Sequence, residues 1–192
     1  MFVDKQKLER LCLDELTKIG NLFDTLKIKY CVFGGYALLA NKIKVERIPS
    51  GVIFSDISAK EKILEMLFKM NYTVYKIDET TIRAKKSSTR GDVKISIMLG
   101  KFDSKYFSVK YNNKNFIFFK NIFNSDVKEV WGYLSRGKSG KGYFRAAPLE
   151  EIYFSKMNED DENNTSDLEM IKGSGKLDIE RLFKILKING LI

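Results

Sequence analysis

The chain has 192 residues, 44% of them hydrophobic, with a formal net charge of +9 and an isoelectric point near 9.4. That suits one domain, or one domain with a small helical appendage, around a packed core. There is no histidine, which excludes a histidine general base, Cys/His zinc sites and Ser-His-Asp triads, and no apolar run reaches the ~18 residues of a membrane span.

Met1 to Arg10 alternates charged and apolar residues, unlike a signal peptide, so the expected location is the cytoplasm. Asp4 to Leu26 predicts an amphipathic helix. Leu8, Leu11, Cys12, Leu16, Ile19, Phe23 and Leu26 follow three/four spacing, with Glu15 the charged exception on that face. Tyr30 to Phe33 is a short strand running into Gly34-Gly35 and a helix-like segment, Tyr36 to Ala40. Arg47 precedes a second apolar strand, Val52 to Phe54. Ser58-Ala59-Lys60-Glu61 fits a capping box, with Ser58 as N-cap, opening a helix whose apolar face is Ile63, Leu64, Met66, Leu67 and Met70. Tyr72 to Ile77 and Thr80 to Ala84 read as a hairpin around Asp78-Glu79. Asp92 to Leu99 alternates, with Val93, Ile95 and Ile97 on one face and Asp92, Lys94 and Ser96 on the other. Tyr106 to Tyr111 and Phe116 to Phe119 are strands joined by the turn signal Asn112-Asn113-Lys114.

Beyond these the character changes. Pro148-Leu149-Glu150-Glu151 opens a helix to about Met157, with proline in the first turn. An acidic, asparagine-rich bridge, Asn158 to Asn164, reads as a flexible loop. Asp167 to Ile171 and Asp178 to Lys187 are short helices parted by Lys172-Gly173-Ser174-Gly175. Cys12 and Cys31 both lie in apolar patterns and are expected as two buried thiols of a reducing compartment.

Gly132-Tyr133-Leu134-Ser135-Arg136-Gly137-Lys138-Ser139 satisfies the Walker A pattern. That mechanism needs an apolar strand before it and a helix after it. Val127 to Trp131 is charged in the middle and Gly140-Lys141-Gly142 starts no helix. The stretch is expected to be a mobile loop, with Arg136, Lys138 and Lys141 as phosphate contacts. A second basic cluster holds Arg83, Lys85, Lys86 and Arg90, and aromatics crowd Tyr106 to Phe119 and Trp131 to Phe144. Cations interleaved with aromatics suit single-stranded nucleic acid, RNA ahead of DNA, though aromatic strands under a lysine-covered surface have the same composition.

The succession of helix, strand, Gly-Gly, helix, Arg47, strand, helix, hairpin and strand resembles the nucleotidyltransferase superfamily, and the resemblance covers most of the chain. The tail is similar to minimal and abortive-infection-type members, in which Pro-Glu-Asp-Leu…Lys precedes a Lys-Asp-x-x-Asp-like helix. Here the matching pieces are Ala147-Pro148-Leu149-Glu150-Glu151-Ile152…Lys156 and Ser166-Asp167-Leu168. The resemblance implies an α/β (α+β) fold, a mixed sheet flanked by helices over residues 1–145, with a small helical region, 146–192, packed on it. It also implies nucleotide binding at Gly34 and Gly35, where the backbone approaches a triphosphate, and at Arg47, which would neutralise phosphate. In the family, two divalent metals held by three carboxylates on adjacent strands clamp the attacking and leaving oxygens.

Those carboxylates are missing. The family spacing, counted from Gly35, puts the Asp-x-Asp pair at Gly51 and Ile53. Asp56 is the nearest acid but belongs to the opposite side of the strand or lies past its end. The third ligand would fall at Asp92, Lys94 or Ser96, of which only Asp92 is acidic. Hard cations need several oxygens, so no metal site is expected. The resulting expectation is a non-catalytic member that binds nucleotide or RNA. The alternatives are an active enzyme moving a nucleoside monophosphate to RNA, protein or a small molecule, with Asp56 and Asp92 recruited to Mg2+, and a protein-interaction module of a defence or toxin-antitoxin-type system.

Overall fold

Helix α1, Lys5–Thr25, buries Leu13, Leu16, Ile19 and Phe23 along one stripe. It stops at Lys27, whose φ of 56° turns the chain toward β1. The computed structural model describes residues 5–43, 45, 51–89, 91–111, 114–124, 127–134, 138–158 and 163–192; for 5–7, 127–134, 138–142 and 163 only the backbone is described. The expected Asp92-to-Leu99 strand is longer than its alternation suggested, running from Gly91 to Phe102 as β5.

The main sheet orders its strands β1 (Tyr30–Gly34), β2 (Gly51–Asp56), β5, β4 (Thr81–Ser88) and β3 (Thr73–Ile77). Only β2 and β5 run parallel; the other neighbours are antiparallel. The mixed sheet is thus built around one crossover, which carries α3 (Lys60–Lys69) and the β3–β4 hairpin. Directly paired residues share a face, so the register separates the two sides. Val32, Ile53, Ile82, Ala84, Val93, Ile95 and Ile97 lie on one side, all buried. Helix α1 covers this side. Its Glu15 reaches Lys86, the β4 residue paired with Val93, at 2.9 Å, and accepts from the Tyr72 hydroxyl at 3.2 Å.

The other side divides in two. Over β1 and β2 it is an aromatic core: Phe33 lies 4.2 Å from Phe54, ring to ring, and Phe118 packs on both. The arm formed by β6 (Tyr106–Tyr111) and β7 (Lys114–Phe119) brings these rings in. It does so by pairing β6 with the last two residues of β5. Gly100 permits that approach, because a Cβ there would stand 2.4 Å from both the Phe107 ring and the Ser108 carbonyl oxygen. Over β4 and β5 the same side is polar, with Lys85, Asp92 and Lys94 exposed.

After the arm come β8 (Val127–Leu134) and β9 (Lys138–Arg145), an antiparallel hairpin beside α1. It replaces the loop expected around the Walker-like sequence. Residues 135–137 fall outside the described residues, and Lys138 opens a strand, so the helix of a phosphate loop is absent there. Helices α4 (Leu149–Met157), α5 (Asn163–Gly173) and α6 (Ile179–Ile188) close the chain. Pro148 stands just before α4, as its N-cap and not within its first turn. The acidic bridge is shorter than expected, since α5 already begins at Asn163. The Asn189 side chain bonds the N–H and C=O of Ile117, serving as a partner for the edge of β7. Cys12 is half-buried and Cys31 buried, and neither forms a disulfide.

Candidate functional site

The strand β1 ends at Gly34, whose φ of 76° lies in the region that favours glycine. Helix α2, Gly35–Ala40, follows at once, with Gly35, Tyr36, Ala37, Leu38 and Ala40 buried. Asn41 fixes its far end by donating to the carbonyls of Ala37 and Ala147. Gly34 itself is half-buried and pairs with Gly51, the first residue of β2. The Gly-Gly turn and the start of β2 therefore meet as the sequence implied. Arg47 lies outside the described residues.

The two positions of the Asp-x-Asp pair, Gly51 and Ile53, carry no metal-ligating side chain. A Cβ on Gly51 would stand 3.3 Å from the Tyr36 ring. Burial pushes the Tyr36 phenol far up and keeps it neutral, with the neighbouring Cys12 and Glu9 acting in the same sense. Ile53 is fully packed between Val32 and Ile97 on the helix-covered side. A one-residue slip of register would move the question to the other face. There the residues are Val52 and Phe54, paired with Ser96 and Met98, and none of the four is a carboxylate.

Asp56 and Asp92 do lie on that other face, yet they are far apart. Asp56 pairs with Gly100, and Asp92 precedes Gly100 by eight residues on β5, which is about 26 Å at a rise of about 3.3 Å per residue. One ion cannot bind both. The Asp56 carboxylate instead accepts from the Ser58 N–H at 2.9 Å and caps the short 3-10 turn Ile57–Ala59. This corrects the capping box: Ser58 is inside the turn, and Ala59, which precedes α3, makes no side-chain cap. The aspartate two residues before Ser58 captures the free N–H first. Among the described residues no group of three His, Cys, Asp or Glu side chains could hold a metal ion. The described residues do not fit the two-metal site that the resemblance implies.

The basic residues scatter. Arg83 and Lys85 are on the polar side of β4, while Lys86 points to the helix-covered side and is engaged by Glu15. The Lys86 ammonium is 2.9 Å from the buried Glu15 carboxylate, which gives it a structural partner. Lys138 and Lys141 belong to β9, opposite Leu134 and Trp131. Arg90 and Arg136 lie outside the described residues. Arg83 lines a cavity of about 530 Å³ between the polar side of the β3–β4–β5 strands and the end of β6. Lys76, Lys110, Thr81, Met98 and Tyr111 also line it, as do Asp78 and Glu79 of the hairpin turn. Slight burial opposes ionisation of Asp78, but bonds from Thr80 and Thr81 and the charge of Lys76 outweigh it and hold this carboxyl below its usual value. The Arg83 Nε is buried without a hydrogen-bond partner among the described residues.

No family model and no curated protein sequence matches the chain. Among solved structures it is similar to the lincosamide antibiotic adenylyltransferase LnuA in its lincomycin-bound form, with a TM-score of 0.56 and 18% identity over 83% of this chain and 95% of that one. It is also similar to the antibiotic-resistance factor ANT(2'')-Ia, with a TM-score of 0.57 and 9% identity over 95% of this chain and 91% of that one. The fold is nucleotidyltransferase-like. The mixed sheet, its helical flank and the Gly-Gly turn agree with the resemblance read from the sequence.

The tail motif turns out to be a set of buried charge pairs. Glu151 is fully buried against the Arg181 guanidinium, which bonds both its oxygens. Burial pushes the Glu151 carboxyl up, and the bonds and charge of Arg181 offset part of that. Glu150 accepts from the Asp178 N–H at 2.8 Å. Lys156 bonds Asp167 and Asn164, all three buried. The sequence singles out Glu150, Glu151, Lys156 and Asp167 but not Arg181, which sits three residues after the α6 N-cap Asp178 and donates its N–H to that side chain. Lys76, Lys110 and Tyr111 were missed as cavity residues. Lys76 and Lys110 are exposed while Tyr111 turns toward the core, and their meeting with Arg83 depends on the fold of the arm.

Proposed function

We propose that the chain is a non-catalytic nucleotidyltransferase-fold protein that binds a nucleoside phosphate, free or as part of RNA, without transferring a nucleotide. The observation that carries this reading is the register of β2 on β5: neither face offers adjacent carboxylates, and Asp56 and Asp92 are about eight residues out of step. An in-line transfer between two oxygens needs metal-held charge at both, and the residues of β2 and β5 supply an isoleucine, a phenylalanine and a methionine instead. The chain's own contribution would be positional. Gly34 lets a phosphate approach the backbone, Arg47 is the expected counter-charge, and the basic surface draws polyanions in.

The neighbours' names describe enzymes that act on small antibiotics, and an active small-molecule transferase is the competing reading. It is tested by supplying each nucleoside triphosphate with magnesium or manganese, together with RNA and with small hydroxylated acceptors, and measuring pyrophosphate release. No release above the protein-free rate is the expected result. Metal-dependent release that disappears in Asp56→Asn or Asp92→Asn would overturn the proposal.

A further inference from the structure

The cavity that Arg83 lines lies on the sheet away from the Gly-Gly turn. Phe33, Val52, Ser96 and Arg83 are successive partners across β1, β2, β5 and β4, so Arg83 is about 14 Å from the β1 end of that row at about 4.8 Å per strand. We propose that this cavity is a separate anion site for a phosphomonoester of nucleoside-monophosphate size, with the phosphate held by Arg83 and Lys110 and the organic body against Tyr111 and Met98.

Several observations converge on that chemistry. The volume, about 530 Å³, falls in the range of small-ligand sites. Arg83 and Lys110 reach it from different elements, β4 and β6, and neither has an ion-pair partner among the described residues. The buried Arg83 Nε lacks a hydrogen-bond partner there, and buried donors are otherwise almost always satisfied. A phosphate oxygen is an acceptor that matches the guanidinium fork. Of the two acids on the lining, Asp78 is occupied by the Thr80 N–H at 3.0 Å and lies 3.8 Å from Lys76. Glu79 is exposed at the turn and sets the limit on how much negative charge the site accepts, which favours one phosphate over a triphosphate. The Tyr111 ring is half-buried against Phe54 and Phe116, a fixed surface for a base or sugar.

Calorimetric titration with inorganic phosphate and with adenosine 5′-monophosphate, both in EDTA, tests the site. Wild-type protein should bind both, the nucleotide more tightly. Arg83→Met and the exposed Lys110→Ala should each weaken both ligands at least tenfold, while Tyr111→Leu should weaken the nucleotide and spare phosphate. Lys69→Ala, a change of equal charge on α3, should alter neither. The proposal is overturned if neither probe saturates, if Arg83→Met and Lys110→Ala bind at wild-type affinity, or if only single-stranded RNA binds and does so equally in all variants. Triphosphate binding that survives Arg83→Met, with monophosphate binding equally unaffected, would leave the nucleotide reading standing and sink this site alone.

Discussion

Glu15 breaks the apolar stripe of α1, and the fold explains why it is tolerated. Its carboxylate is buried, but it bonds Lys18 at 2.7 Å and Lys86 at 2.9 Å and accepts from the Tyr72 hydroxyl. Burial alone would raise this carboxyl; the two lysines together bring it below its ordinary value. A carboxyl whose folded value is depressed stabilises the fold fully above the unfolded value, about 4.3, and loses that contribution as the pH falls through and below it. Glu15→Gln should therefore lower stability at neutral pH and flatten the fall in melting temperature between about pH 5 and pH 3. An unchanged acid slope in the variant would show that other carboxyls govern it. The charge at Glu15 was visible in the sequence as an exception, but its partner was not. Lys86 lies seventy-one positions away, and only the pairing of β4 with β5 decides that it faces α1 while Lys85 faces solvent.

Among elements, the arm and the tail each hang on a local device. Gly100 sits under Phe107, and a methyl group there would overlap both the ring and the Ser108 carbonyl. Gly100→Ala should cost about 1–3 kcal/mol in urea denaturation, whereas Gly173→Ala, where a Cβ meets nothing, should be near neutral or better. In the tail, Arg181→Met would leave Glu151 buried and unpaired, a loss of roughly 3 kcal/mol. Adding Glu151→Gln should restore part of the melting temperature, and a double variant no better than the single would refute the pairing as the cause. Element types were mostly legible because β1, β3, β4, β6 and β7 have clear alternation or turn signals. The β8–β9 hairpin was not, since its strands carry glycines and charges that read as a loop, and a two-stranded ribbon draws its support from tertiary packing. The six-residue α2 was found only because Gly-Gly marked its start.

At the scale of the whole molecule, the fold is nucleotidyltransferase-like, and Gly51, Val52, Ile53 and Phe54 of β2 carry no carboxylate. The absence of an Asp-x-Asp pair was legible by counting from Gly35, and a one-residue shift of register brings up Val52 and Phe54, which are not carboxylates either. What the sequence could not reveal was the cationic cavity, assembled from β3, β4, β5 and β6. The proposed nucleotide binding does not depend on a divalent ion. The most direct measurement is a thermal-shift series with each nucleoside triphosphate and monophosphate at low salt, in EDTA and then in excess magnesium or manganese. The expected result is stabilisation in EDTA that added metal does not increase. Stabilisation that appears only with metal would contradict it and return Asp56 and Asp92 to the centre of the problem.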